Sequence, residues 1–346
     1  MSRRGALLFA GLSLAWGIPY LLIKVAVEDL GPVVLVFGRT SLAVAILLPI
    51  ALARGAIRPV LPRWRPLLAF TVVEIAAPWL LLSDAEQHIT SSLAGLLVAA
   101  VPLVGAGLTL LYRDGQRDRL GPTGLLGLLI GFLGVAALVG LDVQGSQVGA
   151  VAELAGVVLG YAIGPVILVR WLGDLPGIGV VAASLTLCAI GYAPFAVPAL
   201  PTAWPRPAVL VSVVLLAVVC TAVAFLLMFG LVAEIGPVRA TVITYVNPAV
   251  AVAAGVLILA EPLTAATGIG FGLVIAGSVL ATRRRRPPEA GAPATTAASV
   301  GVTAGGPPAG PAGGEAVPTG AGGGPAGAGA ADDGSAGEPA GAVRTD

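Results

Sequence analysis

Residues 17–24 read Gly-Ile-Pro-Tyr-Leu-Leu-Ile-Lys, and residues 163–170 read Ile-Gly-Pro-Val-Ile-Leu-Val-Arg. In each, a proline precedes a cation inside an otherwise apolar run, so Pro19 matches Pro165 and Lys24 matches Arg170 at a separation of 146. Pro102 and Pro248 are also 146 apart. Gly127 and Gly134 match Gly270 and Gly277 at 143, a register that sets Asp118-Arg119-Leu120 against Glu261-Pro262-Leu263. Interruptions repeated at a fixed distance mark two copies of one unit.

The unit is too apolar for water. The 346 residues are 57% hydrophobic and 11% charged, with a mean hydropathy of +0.97, whereas soluble domains run about 45–50% apolar and about 25% charged. A helix crosses the hydrocarbon with about 20 apolar residues. Ten stretches qualify: Gly5–Val27, Pro32–Ala53, Leu67–Ser83, Ser91–Tyr112, Gly121–Leu141, Val148–Val169, Gly177–Leu200, Pro207–Val232, Thr241–Ala260 and Thr264–Thr282. The first exceeds a signal-peptide core and has no small-residue cleavage site after it, so it reads as a span. With the N-terminus inside, the inner loops hold 15 arginines and the outer loops hold Arg206 alone. That split satisfies the positive-inside rule with both termini cytoplasmic, and an odd number of spans would scramble it.

The expected fold is an all-α membrane protein of ten transmembrane helices. Residues 1–141 form one five-helix repeat and 148–282 the other, and 283–346 a basic stop (Arg283 to Arg286) followed by a Gly/Ala/Pro-rich tail. Five spans per repeat turn the second copy upside down, an architecture that puts a transporter's site near mid-membrane between the halves. The tail lacks Leu, Ile, Met, Lys and aromatics, so it cannot bury enough apolar area to offset its ordering entropy and reads as disordered.

Several functions are excluded. The only lysine, Lys24, follows no P-loop glycines, so ATP-driven transport through that motif is out. One His (His88) and two Cys (Cys188, Cys220) cannot build a His/Cys metal cage, so no metal and no cofactor is expected. The balance of +1 gives no basic surface for nucleic acid. Gly268-Ile-Gly270-Phe-Gly272 resembles a dinucleotide motif, but no strand precedes it, and helix packing accounts for it. His88 falls in an expected outer loop, Asp84–Thr90.

Ala15-Trp16-Gly17, Lys24, Pro32, Arg39, Tyr245-Val246-Asn247-Pro248, Ala260-Glu261-Pro262-Leu263-Thr264 and Gly270…Gly277 together resemble the EamA-like branch of the drug/metabolite transporter superfamily over residues 5–282. The resemblance implies two inverted five-helix repeats that carry small metabolites, amino acids or drugs, often outward, in an inner (plasma) membrane. The first copy departs from the family pattern at Asp118 and at Val101-Pro102, which lacks the polar residue that Asn247 supplies.

Charges inside hydrocarbon cost roughly 2.5–3.5 kcal/mol each at a helix centre, and therefore face a cavity or a partner. Glu74 lies about 10 Å into the third span at ~1.5 Å per residue, and Cys220 stands at its place in the second copy. An acid in one half only points to a proton carrier or a ligand for a cationic solute; a hydrogen bond to a neighbouring helix is the plainer account. Arg39 is its natural counter-charge, with a Glu74–Arg39 or Glu74–Lys24 pair as the alternatives. Lys24 and Arg170, at span ends, can snorkel to headgroups, and Glu153 is shallow in the sixth span. Trp16, Tyr20 and Lys24 recur at i, i+4, i+8 on one helix face, and Tyr161 falls beside the counterpart of Trp16. These rings could line a cavity and contact cations, or simply pack. Pro19, Pro165, Pro102 and Pro248 are expected to break their helices at matched depths, with Tyr245 and Asn247 adding polar groups beside the last. Gly156, Gly160 and Gly164, and Gly127 with Gly131, form ridges for close helix packing.

The reading is a secondary transporter working by alternating access, proton-coupled and exporting a small metabolite, with a small solute, protons and lipid as partners and a homodimer left open. The alternatives are an importer or exchanger of a phosphorylated or sugar metabolite, and a non-transporting scaffold. An intramembrane protease would need a membrane-level His or paired acids, and the apolar spans offer neither.

Overall fold

The structure, a computed structural model, describes residues 2–111, 122–142, 147–236, 240 and 242–282. Arg113, Arg117, Asp118, Arg119, Arg239, the arginines 283–286 and the tail 287–346 lie outside the described residues.

Among the described residues the chain is helical, with no strand. Eight rods are long and apolar enough to cross a bilayer: α1 (Arg3–Ala26), α2 (Pro32–Ala53), α3 (Leu61–His88), α4 (Ser91–Leu108), α5 (Pro122–Val139), α6 (Val148–Leu172), α7 (Gly177–Ala196) and α8 (Pro207–Ile235). Two shorter apolar helices follow, α9 (Ile243–Leu259) and α10 (Thr267–Thr282). Local chemistry sets the ends. The Ser2 and Thr90 hydroxyls accept from the Gly5 and Leu93 amides, a side-chain cap for donors the helix leaves free. Pro32 and Pro207 open α2 and α8, where a missing N–H costs nothing. Gly236, at φ 83°, ends α8 in a conformation that favours glycine.

The prolines divide the two copies. Pro19 interrupts α1 at Ile18, and Pro102 follows the interruption of α4 at Ala99–Ala100. Their counterparts do not break. Pro165 sits inside the helix of α6, with a π-turn three residues later at Leu168–Leu172, and Pro248 lies inside an uninterrupted α9. The expectation of matched breaks is corrected: a proline removes one ladder bond, which a helix can absorb by local rewinding. The third span is corrected as well. It runs 28 residues to His88, so the expected loop Asp84–Thr90 is mostly its last turn.

The packing is reciprocal between the copies. α2 lies on α7, α4 on α9 and α5 on α10; α1 crosses to α8 and α3 to α6; α1 touches α9, and α6 touches α4. Exchanging α1–α5 for α6–α10 returns the same pairings, as in an isologous contact related by a two-fold axis. The glycine matches from the sequence meet face to face at the α5–α10 contact: a Cβ on Gly134 would lie 2.9 Å from the Gly270 carbonyl, and one on Gly277 would lie 2.6 Å from the Gly127 carbonyl. Such close backbone approach is how small residues hold helices together where apolar burial gives no drive. Facing outward are Leu125, Leu129, Phe132, Val169, Leu257 and Ile258, all exposed apolar groups suited to acyl chains.

Candidate functional site

The helix of α3 is rewound as a π-turn over Thr71–Ala76, with Glu74 inside it. Pro78 lies four residues after Glu74 and has no N–H for its carbonyl, so the ladder must shift register here. π-turns recur at functional sites because they free backbone groups and re-aim side chains. The Ala76 carbonyl, at the end of the turn, accepts from the Tyr192 hydroxyl of α7 at 3.0 Å. The glycine ridge of α6 receives the turn: Gly160 abuts the Val73 carbonyl and Pro78, and Gly164 abuts the Glu74 carboxylate. Oε2 of Glu74 is buried there without a hydrogen-bond partner.

Arg39 of α2 is 7% exposed. Its Nε donates to Thr221 Oγ1 at 2.9 Å, and its guanidinium carbon lies 3.6 Å from the centre of the Trp79 ring. Desolvated cation–π contacts of this kind contribute about 2 kcal/mol. Thr221 stands in another π-turn, Val218–Val223 of α8, and its hydroxyl donates back to the Leu216 carbonyl at 2.8 Å. Tyr161 lies beside Trp79 and within electrostatic reach of both Glu74 and Arg39. Tyr20, 8% exposed, neighbours Arg39 and Tyr161. Glu74, Arg39, Tyr20 and Tyr161 therefore meet around Trp79 and Thr221, two residues the sequence reading passed over. The signal for Thr221 was its place beside Cys220, the counterpart of Glu74.

Other expectations need correction. Among the described residues the ion pairs are Arg4–Glu234, Arg63–Asp174, Arg206–Glu28 and Arg206–Asp29. Neither a Glu74–Arg39 nor a Glu74–Lys24 pair is formed, because Arg39 is taken by Thr221 and Trp79. Lys24 does not snorkel: its Nζ donates to the carbonyls of Glu86 and Ile89 at 2.6 and 2.7 Å, groups a helix end leaves free. Trp16 does not share a surface with Tyr20, because α1 breaks at Ile18 between them, and its ring meets Phe225 of α8 edge-on at 6.1 Å. Tyr245 is not beside a broken Pro248; its hydroxyl bonds Thr282 Oγ1 at 2.8 Å, at the far end of α10. Asn247 has Oδ1 buried without a partner, while its carbonyl faces Gly17 of α1. Glu153 has Oε2 buried without a partner and lies near Asp84 and His88.

At one end of the rods a carboxylate clasp joins the copies. Glu261 accepts from the Ser91 amide and hydroxyl at 2.8 and 2.9 Å, and from the Ser92 amide and hydroxyl at 2.9 and 2.5 Å, capping α4. Glu86, in the last turn of α3, is 0% exposed, and neither carboxylate oxygen has a partner. Beside it a cavity of about 310 Å³ is lined by Lys24, Glu28, Asp29, Leu30, Glu86 and Gln87, among others. Two surface latches also join the copies, Arg206 to Asp29 and Glu28, and Arg63 to Asp174. Asp174 and Glu28 are 146 apart, so the latches are counterparts. The arginine beside each aspartate holds the carboxyl of Asp29 and of Asp174 below its ordinary range, and the same contacts raise Arg206.

Helices of membrane length, packed as two reciprocal halves around internal charges, define a multi-pass membrane transporter. The sequence relatives agree. The chain belongs to the EamA-like transporter family, whose pattern matches residues 3–140 and again 150–283. It is 30% identical over 284 residues to the uncharacterized inner membrane transporter YedA of Escherichia coli K12, covering 80% of this chain and 89% of YedA. An uncharacterized transporter of Archaeoglobus fulgidus is 23% identical over 273 residues, covering 78% of this chain and 95% of the relative. A solved crystal structure shares the fold with a TM-score of 0.58 at 22% identity, over 80% of this chain and 96% of its own. The protein is a multi-pass inner-membrane protein.

Proposed function

We propose that the protein is a secondary transporter that exports a small metabolite, amino acid or drug-like solute by alternating access coupled to protons. In this reading ten helices cross the membrane with both termini inside, 1–141 and 148–282 are inverted repeats, and 283–346 is a passive tail. The observation that carries the reading is Glu74. One oxygen of its carboxylate is buried without a partner, in a π-turn, against the other repeat. Burial without compensation favours the neutral acid, and a group that can be ionised only when the halves part can exchange a proton for a cation or a polar solute. Arg39, held on Trp79 and Thr221, supplies a fixed positive charge nearby, and Tyr161 and Tyr20 supply rings and hydroxyls. A carrier of phosphorylated sugars needs free cations, whereas Arg39 and Lys24 are both engaged.

Comparing metabolites in cells with and without the protein identifies a solute. The purified protein in liposomes then moves that solute with an imposed pH gradient. Glu74→Gln is expected to abolish the gradient dependence with normal expression and melting. Flux indifferent to the gradient in the wild-type protein removes the coupling, and full gradient-driven flux in the variant removes Glu74 from it.

A further inference from the structure

A second acid is as isolated as Glu74 and was hidden in sequence by its polar neighbours. Glu86 is fully buried, and both of its oxygens lack partners. The nearest cation does not serve it: Lys24 donates to the main-chain carbonyls of Glu86 and Ile89 and leaves the carboxylate alone. The groups facing it are Lys24 and Tyr20 from α1 and Glu261 from the α9–α10 connection. Glu28 and Asp29 share its cavity but are held by Arg206, and Asp84 and His88 stand on its own helix. From α4 it meets no charge; Ser91 and Ser92 there are committed to Glu261.

The arrangement disfavours a second charge. Glu261 accepts from four donors, the Ser91 and Ser92 amides and hydroxyls. A second negative charge at Glu86 would be repelled by Glu261 and desolvated without a hydrogen bond, a heavy cost for a buried carboxylate. The clasp is also tightly built: a Cβ on Gly255 would collide with both Glu261 and Ser92. We propose that Glu86 is a proton-binding site that controls this end of the transporter, protonated while the Glu261 clasp is closed. When α1 and α3 part, the carboxyl releases its proton to water in the adjoining cavity, and the Lys24 ammonium moves from the two carbonyls to the carboxylate. The charge on Glu86 then opposes reclosure until it is protonated again. The inference rests on the transporter reading only in assuming that this end opens, and it concerns a different acid from Glu74.

Leu30, 7% exposed, lines the cavity and reports opening. A Leu30→Cys protein in liposomes is treated with a membrane-impermeant maleimide across a range of pH; the native cysteines, Cys188 and Cys220, are buried. Labelling is expected to be roughly tenfold faster at alkaline than at acidic pH, within the usual size of a coupling between two sites. Glu86→Gln in the same background is expected to label slowly at every pH, Glu86→Asp to keep the response, and Glu74→Gln to keep it too. A response that survives Glu86→Gln, or none in the wild-type background, overturns the proposal. A response lost in Glu74→Gln but kept in Glu86→Gln moves the proton site to Glu74. If Glu86→Gln does not fold, the infrared carbonyl stretch of the full chain decides: Glu86→Asp must shift the band of a protonated carboxylic acid, and an unshifted band overturns the assignment.

Discussion

The π-turn of α3 and the π-turn of α8 occupy matching places in the two repeats, yet they do different work. Thr71–Ala76 puts Glu74 against a glycine ridge with nothing bonded to its buried oxygen. Val218–Val223 puts Cys220 at the same position and spends Thr221 on Arg39. The causes of rewinding also differ. In α3 a proline withholds a donor; in α8 the Thr221 hydroxyl captures the carbonyl of Leu216. The repeat thus supplies one backbone irregularity twice, while the side chains have separated into an unsatisfied acid and a satisfied cation. A two-fold scaffold can in this way present an asymmetric site.

The surfaces under the two turns test the comparison most severely. Gly160 of α6 touches backbone and proline of the α3 turn, whereas its counterpart in α1 is Leu14, 57% exposed. Gly160→Val is expected to overpack a contact that cannot retreat, at about 1–3 kcal/mol or more. Leu14→Val should stay within about 0.5 kcal/mol, as surface changes do. Thermal melts of the two variants in detergent check this, and equal shifts would mean that the two turns are held alike.

Exchanging the side chains sharpens the contrast. If position alone made the acid functional, Glu74→Cys combined with Cys220→Glu would restore gradient-driven flux. Cys220, however, neighbours Arg39, so a glutamate there gains the partner that Glu74 lacks and keeps its charge. The swapped protein is expected to lose at least about tenfold in flux while melting normally, which corresponds to 1.4 kcal/mol or more of barrier. Restored flux would show that the halves are chemically interchangeable.

Much of this frame was legible in one dimension. Apolar runs located the rods, and the matches at 143 and 146 foresaw contacts that the α5–α10 glycines make in space. The glycines of α6 announced a close approach without saying what would approach. Glu86 was misread because Asp84, Gln87 and His88 surround it; they make the segment polar on average, although Gln87 is exposed and Glu86 wholly buried on the same turn. Arg39 could be recognised as deep, but its partner Thr221 is 182 residues away, and no periodicity records such a pairing. The prolines failed for a related reason: Pro19 and Pro165 have the same chemistry, and the surrounding packing decides whether a lost bond becomes a break or a π-turn.

The two surface latches carry the smallest expected effects, and they alone compare the ends of the molecule. Arg63 pairs with Asp174 in two hydrogen bonds of 2.5 and 2.7 Å, while Arg206 divides itself between Asp29 and Glu28. Both aspartates are held below their ordinary range by these arginines. A depressed carboxyl contributes its stability above the unfolded value, about 3.9 for aspartate, and loses it as pH falls through the folded value. Both latches should therefore be intact at neutral pH and weaken only in acid below that range, with high salt weakening them at any pH. Because Arg206 has a second acid, Asp29→Asn should leave its latch partly closed, whereas Asp174→Asn should free Arg63. Thermal melts of the two asparagine variants in detergent read this, with the smaller shift expected for Asp29→Asn. Equal losses at the two ends would mean that Glu28 adds nothing, and that the repeats hold their opposite ends in the same way.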